Sequence, residues 1–230
     1  QFYNQEKIEL IVTGKNGEID TKTKNMKISG QVVIVSTNGY NFSSEEVFYL
    51  AAERKITSPS AIVVKAPKDE QGEGLVVRGA EMTVDVDTSK MLISNQIRAV
   101  KNLNSNKRFD VVSDSAEFSG RSRETKFIGN VVMNYGSSKI ESPLAVFNYR
   151  TDRDALKSIS LNGGVRASDD DKYATSDEMT IDLQTNKFTF TGRPRVYQNN
   201  DELSGEQIVF LDGGKKVKVE RVKAKVKSSP

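Results

Sequence analysis

The 230-residue chain contains no cysteine and no histidine. It therefore has no thiolate nucleophile, no Cys/His zinc site, no His-dependent triad and no imidazole base near neutral pH. Most familiar catalytic machinery is excluded, and we do not expect an enzyme. The missing thiols leave the redox compartment open, because a chain without them tolerates oxidising and reducing surroundings alike.

Long apolar runs are absent as well. No stretch approaches the roughly 18 apolar residues that a membrane-spanning helix needs. The first residues, "QFYNQEKIEL", lack the charged leader and apolar core of a signal peptide. Because the strand-like "KIELIV" follows a short polar start directly, we expect a signal or membrane anchor to precede residue 1.

Neither sign of charge is in large excess, because 34 basic and 31 acidic residues are mixed along most of the chain. Nucleic acid is therefore not an expected partner. The basic surplus gathers in the last segment, "GGKKVKVERVKAKVK". This segment is interpreted either as an edge strand whose lysines oppose aggregation or as a strand that docks a partner.

Alternation of apolar and polar residues, the period of a half-buried strand, dominates the sequence. Polar turns such as "STNGY", "NYGSS" and "LDGG" separate the alternating segments. The best helical candidate, residues 44–55, also fits a strand that reaches a turn, which we favour. Gly30, Gly129 and Gly192 are interpreted as β-bulges or close sheet contacts. The sequence predicts an all-β protein.

One unit recurs roughly every 28 to 35 residues: a glycine, alternating Val or Met, a polar turn, and a Ser or Thr opening the next strand. We expect these units to stack as antiparallel strand pairs around a continuous apolar interior, with open strand edges at both ends. The polar stretch 101–110 divides the chain into two similar modules, residues 1–105 and 106–230. The modules either share one continuous sheet or fold separately.

Acidic residues do not form a recognisable site. The run 169–171 lacks the alternating spacing of a calcium loop, so it is expected in a solvated turn, with Lys172 exposed. Asp177 and Glu178 are neighbours on a strand, and their side chains point to opposite faces, so they cannot act as a glycosidase pair. No Gly-Lys-Ser/Thr phosphate loop occurs. We predict no catalytic residue, metal ion or cofactor.

Four segments of the second half occur in a characteristic order: "FDVVSDSAEF", "FIGNVVMNYGSSKIESPLAVFNY", "ISLNGGVRA" and "YATSDEMTIDLQTNKFTFTGRPRVYQNNDELSGEQIVFL". As an ordered set they resemble the OstA-like periplasmic proteins of lipopolysaccharide transport, whose soluble bridge component is LptA. The resemblance covers almost the whole second half.

The first half contains "GEIDTKTKNMKISGQVVIVSTNGYNFSSEEVFYLAAERKITSPSAIVV" and "GEGLVVRGAEMTVDVDTSKMLISNQIRAV". These segments resemble LptC, the membrane-anchored partner, which carries an N-terminal transmembrane helix. A single module of this kind fills about half the chain. The resemblance therefore implies a long LptC-like protein or a fusion of an LptC-like and an LptA-like module, anchored in the inner membrane through a preceding helix.

This resemblance implies a fold and a function. The fold is a folded-over antiparallel β-jellyroll whose apolar groove shields the acyl chains of lipopolysaccharide in the periplasm. The implied partners are lipopolysaccharide, an inner-membrane lipopolysaccharide ABC transporter and other β-jellyroll bridge proteins joined by edge-strand addition. ATP hydrolysis would come from another subunit. The alternative is a structural or adhesive β-solenoid with a dry core that binds protein or glycan on its surface.

Alternation along each strand selects the side chains that we expect to face the groove. In the second module they are Phe109, Val111, Val131, Met133, Ile140, Met179, Ile181, Leu183, Phe188 and Phe190. In the first module they are Ile8, Leu10, Val32, Ile34, Val84 and Val86.

Overall fold

The computed structural model describes residues 9–104, 107–119, 122–150, 155–169, 172–198, 201–211 and 216–225. Within these ranges the chain forms β-strands and turns and no helix. The segment 44–55 belongs to a strand and the turn after it, as we favoured. The predicted all-β class is confirmed.

The twenty strands of the described ranges form a single antiparallel sheet. In chain order they are β1 Leu10–Thr13, β2 Asn16–Ile19, β3 Met26–Ser36, β4 Asn41–Leu50, β5 Lys55–Ser58, β6 Ile62–Lys65, β7 Val76–Gly79, β8 Glu81–Asp85, β9 Lys90–Asn102, β10 Arg108–Ser119, β11 Glu124–Tyr135, β12 Ser138–Tyr149, β13 Leu156–Asp169, β14 Lys172–Asp182, β15 Lys187–Thr191, β16 Arg195–Gln198, β17 Asp201–Ser204, β18 Gln207–Leu211, β19 Lys216–Glu220 and β20 Lys223–Lys225.

The sheet is folded over into two half-sheets. The long strands β3, β4 and β9 to β14 bend in their middle and belong to both half-sheets, whereas each of the other strands belongs to one. Half-sheet A has the order β1, β3, β4, β6, β7, β9 to β14, β16, β17, β20. Half-sheet B has the order β2, β3, β4, β5, β8, β9 to β14, β15, β18, β19. This arrangement is the folded-over β-jellyroll predicted above.

The fold line passes through pairs of consecutive residues with positive φ. These pairs are Gly30–Gln31, Asn95–Gln96, Gly129–Asn130, Gly163–Gly164 and Gly192–Arg193. At Gly129–Asn130 two residues of β11 oppose a single residue of β12, which is the geometry of a β-bulge. A bulge bends its strand and raises the local twist, so the aligned pairs crease the whole sheet. Gly30 and Gly129 lie at register shifts and Gly192 lies close to Asp177, so their interpretation as β-bulges or close sheet contacts is correct.

A buried serine lies opposite the residue that follows each of the first four pairs. Ser44, Ser113, Ser142 and Ser176 pair with Val32, Ile97, Val131 and Val165, respectively. Three of these hydroxyls donate to the carbonyl two residues further along their own strand, at 2.9 Å in β10, 3.0 Å in β12 and 2.7 Å in β14. The serines therefore satisfy backbone acceptors that lie beside the bend.

The sheet continues without a break between the two halves of the sequence. β9 and β10 pair along nearly their whole lengths, from Asn102 opposite Arg108 to Lys90 opposite Ser119. Across this seam the guanidinium of Arg98 donates to both carboxylate oxygens of Asp110, at 3.2 and 2.8 Å. One continuous sheet, rather than two separately folded sheets, is the form the chain adopts.

Gly192 provides a test of the crease. A Cβ added there would lie 2.5 Å from Cβ of Asp177, and its φ is +72°. We expect Gly192→Ala to lower the free energy of unfolding by about 3 kcal/mol, from steric overlap and left-handed strain. Gly136→Ala is the matched control, because its φ is +63° but nothing lies within 4 Å of the added Cβ. It should cost about 1 kcal/mol in chemical denaturation, and equal costs would contradict the steric role of the crease.

Asp110 provides a pH-dependent test of the seam. Its hydrogen bond to Arg98 lowers the pKa of the Asp110 carboxyl, with Arg108 contributing and partial burial opposing. The stabilisation is therefore present above the ordinary carboxyl pKa of about 4 and is lost as the pH falls through the lowered folded value. We expect Asp110→Asn to cost about 1 kcal/mol of unfolding free energy at pH 7 and almost nothing near pH 2. A pH-independent difference between the two proteins would contradict this assignment.

Candidate functional site

The space between the half-sheets is filled by the apolar side chains that alternate inward from both. Phe109 of half-sheet A lies against Phe147 of half-sheet B, with ring centroids 5.9 Å apart. Phe147 also meets Phe127 edge to face at 5.1 Å. All three rings are fully buried, and the Phe109–Phe147 contact shows that the two half-sheets pack directly on each other here.

The predicted inward residues are all inward wherever the structure describes them. Those that are buried in the core are Val32, Ile34, Phe109, Val111, Val131, Met133, Ile140, Met179, Ile181 and Phe190. Those that are partly buried and packed against the core are Leu10, Val84, Val86, Leu183 and Phe188. Ile8 lies outside the described residues. Alternation therefore placed these side chains correctly, while contact with lipid stays a prediction.

A groove of about 220 Å³ opens between the half-sheets in the second half of the chain. Half-sheet A contributes Ile140, Ala167, Ala174 and Val196 to its floor, and half-sheet B contributes Met179, Phe188, Phe190 and Phe210. The rings of Phe190 and Phe210 meet edge to face at 5.6 Å. Because both walls are apolar, the groove suits a hydrocarbon ligand rather than a polar one.

The rim of the groove is polar. The groups along it are Lys107, the Tyr135–Ser138 turn, Ser168, Asp169 and Lys172. Nζ of Lys107 lies 5.0 Å from the centre of the Tyr135 ring and 3.3 Å from Oδ1 of Asn186, which belongs to the other half-sheet's rim. Apolar walls below a polar rim match an amphiphile that buries its chains and leaves its head group in water.

Two aromatic rings stand at the mouth, one on each side. Tyr135 of half-sheet A and Phe188 of half-sheet B have centroids 6.1 Å apart. Tyr135 also stacks on Phe109 at 4.4 Å, which connects the mouth to the packed core. Widening the groove therefore requires Tyr135 and Phe188 to separate.

Only some of the predicted lining residues meet at the groove. Ile140, Met179, Phe188 and Phe190 line it, whereas the other predicted side chains lie elsewhere between the half-sheets. The prediction missed Tyr135, Ala167, Tyr173, Ala174, Val196 and Phe210. Tyr135 and Phe210 continue the alternation of Val131–Met133 and of Ile208, so the same period would have found both.

The expectation that Lys172 is exposed is wrong. Lys172 is half-buried at the rim of the groove, because β14 begins there and turns this side chain toward the opening. Asp170 and Asp171 of the acidic turn lie outside the described residues.

The described ranges hold no group of three or more His, Cys, Asp or Glu side chains placed to bind a metal ion. They also hold no helix long and apolar enough to cross a membrane.

Two family models match the chain. The model "Lipopolysaccharide-assembly, LptC-related" matches residues 1–102, and the model "LptA/(LptD N-terminal domain) LPS transport protein" matches residues 110–213. Among solved structures, the chain is similar to LptH from Pseudomonas aeruginosa, the LptA-homologous periplasmic component of the lipopolysaccharide transport device. The two are 16% identical, the match covers 52% of this chain and 95% of LptH, and the TM-score is 0.47. No curated protein sequence matches the chain.

A bulky side chain on the groove floor tests whether the groove binds apolar ligands without contributing to stability as the core does. We expect Ala174→Phe, on the groove floor, to change the free energy of unfolding by less than about 1 kcal/mol and to weaken binding of an environment-sensitive apolar dye at least about tenfold. Ala145→Phe, in the fully packed core, is the control and should cost about 3 kcal/mol. Undiminished dye binding by a folded Ala174→Phe protein would show that the groove is not the binding site.

Proposed function

We propose that this chain, which belongs to the LptC-related and LptA lipopolysaccharide transport proteins, carries lipopolysaccharide through the periplasm by holding its acyl chains between the two half-sheets. The two family models together account for most of the sequence and support a component of the transport bridge. The observation that carries the groove assignment is the apolar cleft with a polar rim in the second half.

The physical need for such a groove follows from the cost of exposing hydrocarbon. Each CH₂ group removed from water contributes about 0.8 kcal/mol, so a chain of a dozen carbons costs on the order of 10 kcal/mol when exposed. The present groove of about 220 Å³ is smaller than the roughly 300–1,000 Å³ of typical ligand pockets. A lipid with several chains therefore requires the half-sheets to move apart at the mouth, where Tyr135 and Phe188 face each other.

Transport in this proposal is binding without bond chemistry. The family models describe assembly and transport proteins. Energy from ATP would reach this chain through a separate inner-membrane transporter, which hands lipid to one end of the groove. We place the chain in the periplasm, at the inner membrane, as its LptC-related first half suggests.

Both ends of the sheet offer strand edges to neighbouring bridge proteins. At the amino-terminal end these are β1 and β2, and at the carboxy-terminal end they are β19 and β20. The Lys-rich tail forms the last two strands. The same segment can therefore oppose aggregation through its lysines and dock a partner through its backbone. We propose that other β-jellyroll proteins add strands at these edges, where backbone hydrogen bonds provide the affinity.

The alternative function, a structural or adhesive β-solenoid, has no support from the family matches. It also predicts a dry interior along the whole molecule, whereas the second half contains a groove that opens to solvent.

Photocrosslinking tests the proposal. A benzophenone amino acid at Phe188 places the reactive group at the groove mouth, and the same amino acid at Val112, on the outer face of β10 and 42% exposed, is the control. With lipopolysaccharide we expect an adduct at position 188 and none at position 112. Failure to label position 188 in folded protein would overturn the proposal, and equal labelling at both positions would reduce it to surface adsorption.

A further inference from the structure

The loop between β6 and β7, residues 66–75, crosses the opening between the half-sheets near the middle of the chain. We call it the cross-loop. It begins and ends in half-sheet A, where the N–H of Ala66 donates to the carbonyl of Leu75 at 2.9 Å. Its tip forms hydrogen bonds with residues that follow β9, since the N–H of Asn104 donates to the carbonyl of Gln71 at 2.7 Å.

A buried ion pair holds the cross-loop to half-sheet A. Nζ of Lys101, in β9, lies 2.7 Å from Oδ2 of Asp69 and donates to the carbonyl of Glu73 at 3.0 Å. The side chains of Lys101 and Asp69 are only 2% and 8% exposed. Lys101 pairs in register with Phe109. The ammonium therefore stands among the inward apolar residues where an acyl chain passing between the two halves would lie.

A second set of bonds holds the cross-loop to half-sheet B. The side-chain amide of Gln71 donates to the carbonyl of Leu156 at 2.7 Å and accepts from its N–H at 3.0 Å. Leu156 is the first residue of β13, 85 positions away in sequence. Oδ1 of Asp69 accepts the N–H of Gln71 at 2.9 Å, so Lys101, Asp69, Gln71 and Leu156 form one polar chain from half-sheet A to half-sheet B.

Two glycines fix the path of the cross-loop. A Cβ on Gly74 would lie 1.9 Å from the carbonyl oxygen of Ala66, and a Cβ on Gly72, whose φ is +141°, would lie 2.5 Å from the carbonyl oxygen of Asn102. Gly74 thus lets the two ends of the loop approach each other, and Gly72 lets the loop approach the end of β9 in half-sheet A, which side chains at these positions would prevent.

Stability alone does not account for charges in this position. A buried ion pair contributes little net stability, because desolvation of both charges offsets their attraction, and an apolar pair of similar size often serves as well. Polar side chains that join two otherwise apolar walls instead interrupt the hydrocarbon path between them.

We infer that the cross-loop is a polar latch that joins the rims of the two half-sheets at the junction of the two halves, so that acyl chains enter the first-half interior only when it opens. This inference rests on the proposed lipid-carrier function. The groove of the second half lies beyond the latch and has a separate mouth, between Tyr135 and Phe188.

Spin labels measure the latch directly, because the chain has no native cysteine. Cysteines at Lys65 and Ala52, both exposed, place one label on the rim of each half-sheet in the first half. Gln71→Ala removes the two bonds to Leu156, and Lys68→Ala, whose side chain is 75% exposed on the same loop, is the matched control. Loss of these two hydrogen bonds should raise the ratio of open to closed molecules about 30-fold.

We expect a single short label distance in the parent and in Lys68→Ala, and an added longer distance in Gln71→Ala. The double variant Asp69→Leu/Lys101→Met opens the latch from the other side and retains an apolar interior, which serves if Gln71→Ala does not fold. Unchanged distances in every folded latch variant would overturn the inference. Benzophenone labelling at Phe188 reports the carrier function separately, so its loss would count against the carrier and not against the latch.

Discussion

A strand that bends in its middle must still pair its backbone groups, since each buried N–H or C=O left without a partner costs about 1–3 kcal/mol. In this chain two consecutive left-handed residues make the bend, and the register on either side resumes after a single extra residue, as between Ile128 and Val131. Buried serines on the neighbouring strands donate hydrogen bonds to carbonyls beside the bend. Because these bends line up across the sheet, with the serine-bearing strands between them, the sheet folds along one line, and the apolar side chains of its two halves meet.

The groove lies where the two half-sheets do not pack fully against each other. Around β9 to β12 the aromatic side chains of both half-sheets interlock, and the cross-loop joins the rims. Toward β15 and β18 the walls diverge and leave the apolar cleft lined by Met179, Phe190 and Phe210. One architecture thus provides a packed region, which supplies stability, and an open region, which suits hydrocarbon.

Alternation predicted the strands and the inward side chains because a period of two does not depend on how far apart two half-sheets stand. For the same reason, alternation could not predict where the half-sheets separate. Met133 and Met179 both alternate inward, yet the first is packed in the core and the second lines the groove. The bend at Asn95–Gln96 escaped notice because it uses no glycine. Lys101 was placed in a polar boundary segment, but it belongs to β9 and is buried, since its partner Asp69 comes from a loop 32 positions earlier.

We propose that acyl chains lie between the half-sheets in the second half of the chain. Nuclear Overhauser contacts in protein labelled at its Ile and Met methyl groups and mixed with lipopolysaccharide test it most directly. We expect contacts from acyl methylene protons to the methyl groups of Met179 and Ile140, and none to Ile128 on the outer face, which is 37% exposed. Contacts confined to outer-face methyl groups, or none in the groove at saturating lipid, would contradict it.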